Sequence, residues 1–420
     1  MKKNISQINF LFAAVLIIFL PFQTLFASFL SKSGYGESVV FWLSHWYEPV
    51  LIVLFSIATI LAILNKERLR LGHLITFLLI IFSIFSVLYL SHSIGRGIEG
   101  FRFDFLSIVA FGLIFLSYTD ERQKKSLLNL YLFVALIIAI WAIIERILPI
   151  NYWQNWFNID NFGFGNDFVG DSGLVRSASF IGGPNQLGAY LIPAFFIALG
   201  KIIESWKARN IIFYSLLGLA VGFSYSRAAL VGLLAGFAFF AFYFILEKPI
   251  KKFSKFWVIL SITFAIVAVP FATAAIGQHS VRSILTHDSS NSGHVTSLKA
   301  STEELKNRFD EPVKLFFGSG LGTAGPLVIK YNDGIVSESW YLQILLETGI
   351  IGTALWLVLI IIMLVNLMFK SNGYLALGIV GVSVSAIFLH TFADNVPLTF
   401  TLFVLAGLLL SKDVHEKNSN

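Results

Sequence analysis

Two arginines and one glutamate stand where an otherwise apolar chain has little reason to place charge. Arg176 lies in GLVRSASFIGGPNQLGAYLIP, Arg227 in GFSYSRAALVG and Glu338 in VSESWYLQILLETGIIG, each at the edge of a long hydrophobic run. A guanidinium keeps its proton in a low-dielectric cavity and can grip phosphate oxygens two at a time. A carboxylate at a helix mouth can accept a proton from a hydroxyl. Together these groups suit a displacement in which an anionic diphosphate departs while a hydroxyl attacks, with no protein nucleophile needed. The alternatives are plainer. Arginines near a membrane boundary also serve as snorkelling anchors, and an acidic residue at a helix start also serves the helix dipole.

A second tier of residues is weaker. Arg102, in SIGRGIEGFRFDFLS, either touches substrate or pairs with Asp104 beside it. His294 and Arg308 lie in the polar stretch HDSSNSGHVTSLKASTEELKNRFDEPVKLFFGSGLGTAG. There, Leu305 and Phe309 repeat at helical spacing, as expected of an amphipathic helix against a membrane-domain surface. His294 either contacts substrate or caps that helix. Trp340 and Tyr341 belong to an interfacial aromatic belt or border a substrate ring. Glu347 falls roughly opposite Glu338 on an ideal helix, so it is expected to satisfy a polar contact in the bundle or to orient the loop. GSGLGTAG, from Gly318 to Gly325, lacks the lysine and strand context of a nucleotide loop and reads as a tight bend. His279, His287, His390, Asp288, Asp310 and Asp394 do not fall at zinc-site spacings. No metal and no cofactor is expected.

The elements that must position these groups are membrane helices. Hydrophobic residues make up 56% of the 420, charged residues only 13%, and mean hydropathy is +0.79. Apolar runs of about 20 residues are long enough to cross a bilayer as helix. Cysteine is absent, which excludes disulfides, thiolate catalysis and thiolate metal sites. Twelve spans are expected, near 10–27, 49–64, 71–90, 103–118, 127–144, 181–199, 211–225, 228–246, 256–277, 338–368, 373–389 and 396–410. The first is read as a retained anchor. The basic clusters Lys66/Arg68/Arg70, Arg122/Lys124/Lys125, Lys201/Lys207/Arg209 and Lys248/Lys251/Lys252/Lys255 then alternate onto one side. By the positive-inside rule that side is the cytoplasm and holds both termini. The net charge of +6 is thus a topology signal and not a nucleic-acid signal. The opposite face receives the loops 28–48, 91–102, 145–180 and 278–337, the last a large extracytoplasmic loop between the ninth and tenth spans. The tail from Lys412 to Asn420 is polar and expected to be disordered. One integral membrane domain, 1–420, accounts for the whole chain.

The stretches RSASFIGGPNQLGAYLIP, GFSYSRAALVG, FFGSGLGTAG and SESWYLQILLETGIIG, in this order across 176–367, resemble the O-antigen ligase and Wzy polysaccharide-polymerase superfamily. The resemblance implies an all-α, GT-C-like membrane bundle and an inverting, metal-independent glycosyltransferase. Its donor would be a polyprenyl-diphosphate-linked oligosaccharide and its acceptor a glycan, on the extracytoplasmic face of an inner or plasma membrane, with a chain-length regulator as a further partner. It also implies that Arg176 and Arg227 recognise donor phosphate, that Glu338 lies where the acceptor is activated, and that Arg308 can join the phosphate site. Ligases of this group commonly carry a His-Asn pair where this chain has Glu338 and Ser339. That departure favours a capsule or exopolysaccharide polymerase over a ligase. A transporter moving a polyanion between two states is the rival from another class.

Overall fold

The computed structural model describes residues 2–66, 69–148, 175–247, 253–276, 288–370 and 373–413. Arg68, Lys248, Lys251, Lys252, His279, His287, most of the loop 145–180 and the tail beyond Asp413 lie outside them. The described chain is a helical bundle. Its N-terminal half comprises α1 (Lys2–Phe19), α2 (Gln23–Lys32), α3 (Glu37–Ser44), α4 (Tyr47–Leu64), α5 (Leu71–Phe85), α6 (Ile94–Asp104), α7 (Leu106–Phe115) and α8 (Glu121–Ile144). There follow α9 (Pro184–Glu204), α10 (Ala208–Phe223), α11 (Arg227–Glu247), α12 (Phe253–Ile276), α13 (Asp288–Asn307), α14 (Pro312–Phe317) and α15 (Leu327–Tyr331). The last three are α16 (Trp340–Lys370), α17 (Gly373–Ser385) and α18 (Val396–Leu410). The extended pairing is minimal: Tyr118–Thr119 lies parallel to Lys412–Asp413, and Ala324 bridges Ile335.

Six helices among the described residues are long and apolar enough to cross a membrane: Asn4–Lys32, Tyr47–Leu64, Leu71–Leu90, Glu121–Ile144, Pro184–Glu204 and Trp340–Phe369. Six shorter apolar helices of 10–17 residues accompany them, at Leu106–Phe115, Ala208–Phe223, Arg227–Phe242, Ile259–Ala275, Gly373–Ser385 and Val396–Leu410. The chain is therefore an all-α, membrane-embedded protein. Exposed Ile, Leu, Val and Phe cover the outside of the long helices, as lipid contact requires.

Local signals set several boundaries. Asp120 and Gln123 form a reciprocal capping box that starts α8, and Ser93 accepts the Arg96 amide to start α6. Pro184 and Pro397 sit in the first turns of α9 and α18, where no amide donor is missed. The core is centred on α18, whose residues from Pro397 to Leu410 are all buried, with α7 as its main neighbour and α1, α8, α9 and α16 around it. A second packed group joins α17 to α9 and α11.

Candidate functional site

α16 begins at Trp340 and is broken at Gly349, whose φ of 63° and ψ of −167° leave the helical region. Such backbone is open essentially to glycine alone. The break admits the end of α14: a Cβ on Gly349 would lie 2.4 Å from the Phe316 carbonyl carbon, and one on Gly318 would lie 2.2 Å from the Glu347 oxygen. The amides of Ser319 and Gly320 then donate to the Leu346 and Glu347 carbonyls, both at 3.0 Å. The glycine-rich stretch is thus the tight bend expected of it, and it wraps the first turns of α16.

That wrapping buries Glu347. Its Oε1 accepts the Ala324 amide at 2.9 Å, and the Gly322 amide and the Asp104 carboxyl lie beside it. Glu347 Oε2 has no N–H or O–H donor from the other described groups. Asp104 also accepts from Gln343 Nε2, at 3.3 and 3.2 Å to its two oxygens, and from Trp340 Nε1 at 3.3 Å. Glu347 therefore does the orienting work expected of it, clamping the glycine-rich bend onto α16.

Asp104 does not pair with Arg102. Arg102 reaches across to α4 and holds Glu48 with two bonds, Nε to Oε2 at 2.7 Å and Nη2 to Oε1 at 2.9 Å, under the Phe41 ring. Helical positions two apart turn their side chains to different faces, so sequence proximity misled here. Arg308 is likewise committed to the protein: Nε to Glu304, Nη1 to the Leu346 carbonyl and Nη2 to Ser319 Oγ. It pins the loop helix to α16. The inner face of that helix is marked by Ser301 and Arg308, while Phe309 is exposed, contrary to the amphipathic spacing expected. Trp340 is fully buried against Trp356 and Phe392, at ring separations of 4.8 and 4.9 Å, so it belongs to the core and not to an interfacial belt or a substrate edge. Tyr341 is half-buried and donates to the Ser383 carbonyl at 3.0 Å.

Two of the expected residues do meet, with Arg227 close enough to act on one of them. α13 carries His294 to the mouth of α16, where its Nδ1 contacts Glu338 Oε2. The Glu338 amide is fixed by Ser297 Oγ at 2.9 Å, one turn along the same loop helix. Both side chains keep about a third of their surface open, 36% for His294 and 33% for Glu338. Burial first, and then the nearby Arg227 guanidinium, hold the His294 imidazole below its usual range. His390, in the turn before α18, donates from Nδ1 to Gln343 Oε1 at 3.1 Å; burial and then His294 bring it down to about 4.

Arg176 and Arg227 are joined through one bend. Ser224, Tyr225 and Ser226 separate α10 from α11, with Tyr225 in the left-handed region at φ 48°. Arg176 Nε donates to the Ser224 carbonyl at 2.9 Å and Nη2 to Asn185 Oδ1 at 2.7 Å. Arg227 is the first residue of α11, directly after the bend. A third guanidinium, unremarked in the sequence, stands beside them: Arg146 bonds the Val175 carbonyl and lies over the Tyr225 ring at 5.8 Å. Glu145 holds the same strand of chain, its Oε2 accepting from the Ala178 and Ser179 amides at 3.0 and 2.8 Å. The signal for both was present in ERILP, two charges closing an apolar helix. The start of α9 links this cluster to the last turn, with Gln186 Nε2 donating to Asp394 at 3.0 Å and Asn395 Nδ2 to the Gln186 carbonyl at 2.8 Å. The Asp394 carboxyl therefore takes Gln186 as its side-chain partner, while its amide donates to the His390 carbonyl. Burial raises its carboxyl to about 7.

The site therefore offers guanidinium groups on one side and a half-open imidazole and carboxylate on the other. It is suited to hold an anion and to receive a proton beside it. Among the described residues no three His, Asp or Glu side chains gather as a metal-ligand set. Comparison with protein-family models, curated proteins and solved structures gives no match to the chain.

Proposed function

We propose that this chain is an inverting membrane glycosyltransferase of the O-antigen ligase and Wzy polymerase type, extending a polysaccharide from polyprenyl-diphosphate-linked repeat units. The observation that carries the reading is the contact of His294 with Glu338 at the mouth of α16, with the Arg227 charge acting on the same imidazole. The six long and six shorter apolar helices are compatible with twelve crossings. In that topology the cluster faces the extracytoplasmic side and the basic connections face the cytoplasm of an inner or plasma membrane.

In the reaction, the bond between the donor sugar C1 and its diphosphate oxygen breaks and the electron pair leaves with the diphosphate. Arg176 and Arg227 take up the charge, with Arg146 setting the segment that carries Arg176. The acceptor hydroxyl approaches C1 from the opposite face, which inverts the configuration. Its proton passes to the His294–Glu338 pair. A neutral imidazole that presents Nδ1–H to Glu338 leaves Nε2 as the acceptor, and Glu338 then stabilises the imidazolium. Positioning and charge stabilisation supply most of the rate. Glu338 and Ser339, in place of the His-Asn pair of the ligases, favour the polymerase over ligation to a lipid core.

The test is glycosyl transfer by the purified protein in proteoliposomes given polyprenyl-diphosphate oligosaccharides, with products separated by mass. Successively longer lipid-linked products are expected. Glu338→Gln should lower turnover by about 100-fold or more, the scale of a lost acid–base group, at unchanged membrane insertion. Substrate movement across the bilayer without bond formation would overturn the proposal in favour of transport, and near-normal transfer by Glu338→Gln would remove Glu338 from the chemistry.

A further inference from the structure

A second polar feature lies at the other end of α5. The Leu71–Leu90 segment places its far end beside the glycine-rich bend, where Ser91 Oγ donates to the Leu321 carbonyl. About 30 Å away, at 1.5 Å per residue, its near end borders a cavity of about 730 Å³ between α5, α7, α8, α16 and α18. The cavity has two kinds of wall. Phe111, Phe115, Ile361 and Val365 form an apolar side, while Arg70 and Lys124 stand at its polar end.

The polar end is built. Arg70 Nη1 donates to the Leu410 carbonyl at 2.9 Å, which fixes the guanidinium against the end of α18. Lys124 is buried along its stem, with Nζ on Glu121 Oε1 at 3.0 Å. Glu121 is the lining carboxylate and is 68% exposed, so the lining carries two cations against one anion. The apolar side opens outward: Leu71, Ile361 and Val365 are 62%, 56% and 50% exposed on the same outer surface that meets lipid. Lys66, Arg122 and Lys125, exposed nearby in sequence, add to the basic character of these helix ends.

We propose that this cavity binds an anionic phospholipid, with the phosphate at Arg70 and Lys124 and one acyl chain along Leu71, Ile361 and Val365. Basic pockets between membrane helices take acidic headgroups in this way. A free phosphate would leave the apolar wall against water. A phosphatidylcholine would bring its own cation up to the two cations of the site. The site is independent of the glycosyl-transfer proposal, because it lies at the opposite end of α5.

The experiment is native mass spectrometry of the full chain in a neutral detergent, titrated separately with phosphatidylglycerol, phosphatidylcholine and inorganic phosphate. One phosphatidylglycerol is expected to survive activation that strips phosphatidylcholine. Lys124→Gln should weaken that adduct about fivefold, the scale of one basic group at a membrane surface. Ile361→Asp should weaken it with both cations in place. Arg70→Gln is a less secure variant, because it also removes the contact to Leu410, so the conclusion rests on the other two. Equal retention of both lipids, or an adduct unchanged in Lys124→Gln and Ile361→Asp, would overturn the proposal. Displacement of phosphatidylglycerol by inorganic phosphate at low millimolar concentration would overturn it in favour of a simple anion site.

Discussion

Replacing Glu347 by alanine tests the clamp that holds the glycine-rich bend. The carboxyl faces two buried amides, from Ala324 and Gly322, with Asp104 beside it. A buried donor stripped of its acceptor costs about 1–3 kcal/mol, so two such amides cost about 2–6 kcal/mol before any effect on Asp104. That is a large part of the roughly 5–15 kcal/mol that holds an ordinary domain together. Glutamine is a different case. Its carbonyl oxygen can replace Oε1 toward the amides, and its NH2 can donate to Asp104. Glu347→Gln should therefore stay within about 1 kcal/mol of the parent, while Glu347→Ala should lose several. The assay is heat-induced unfolding of the detergent-solubilised protein, with surviving monodisperse protein counted at each temperature. Equal stability of the alanine and glutamine variants would refute the reasoning, because the amides would then have found other acceptors at no cost.

Three further outcomes follow from other contacts. Arg102→Gln should leave glycosyl transfer intact while lowering thermal stability by about 1–3 kcal/mol, since it strands the mostly buried Glu48 carboxylate away from the proposed reaction centre; a selective loss of transfer would restore Arg102 to substrate contact. Gly349→Ala combines glycine-only backbone with a Cβ 2.4 Å from Phe316, which should cost about 2–6 kcal/mol and show as poor recovery of folded protein after purification. Asp394, raised from 3.8 to about 7, holds a proton in the folded state that the unfolded chain has already lost, so its contribution to stability falls as pH rises from about 4 to about 7 and is level above that. Unfolding of the parent and of Asp394→Asn across pH 4–8 should show that difference in slope, and parallel curves would refute it.

Much of the bundle was legible because lipid imposes long apolar runs. The runs at 71–90 and 396–410 coincide with Leu71–Leu90 and Val396–Leu410. The opening run was too narrow, since the first crossing candidate covers Asn4–Lys32. The loops 28–48 and 91–102 contain α3 and α6, short helices whose apolar faces are too brief for a hydropathy window. At the site, Arg227 and Glu338 were each visible as charge beside an apolar run, and His294 as a histidine of the polar loop. The contact of His294 with Glu338 was not, because it depends on the tertiary docking of α13 against α16. The Asp104–Glu347 pair was hidden for a stronger reason. Two carboxyls are expected to repel, and nothing in either neighbourhood announces that they come together. Arg102 and Arg308 misled because an exposed-looking arginine in a loop reads alike whether it awaits a ligand or bonds Glu48 or the Leu346 carbonyl.

The burial of α18 has a consequence for how the membrane-embedded chain is made. The described helices packed most closely on it, α7 first and then α1, α8, α9 and α16, precede it in the chain. During insertion from the ribosome, those helices must therefore reach the bilayer while their shared centre is vacant. Lipid or an insertion chaperone has to occupy the slot until Val396–Leu410 arrives to displace it. The helix that fills the centre of the bundle is then inserted after its neighbours, and a chain stalled before that point would expose its centre to quality control.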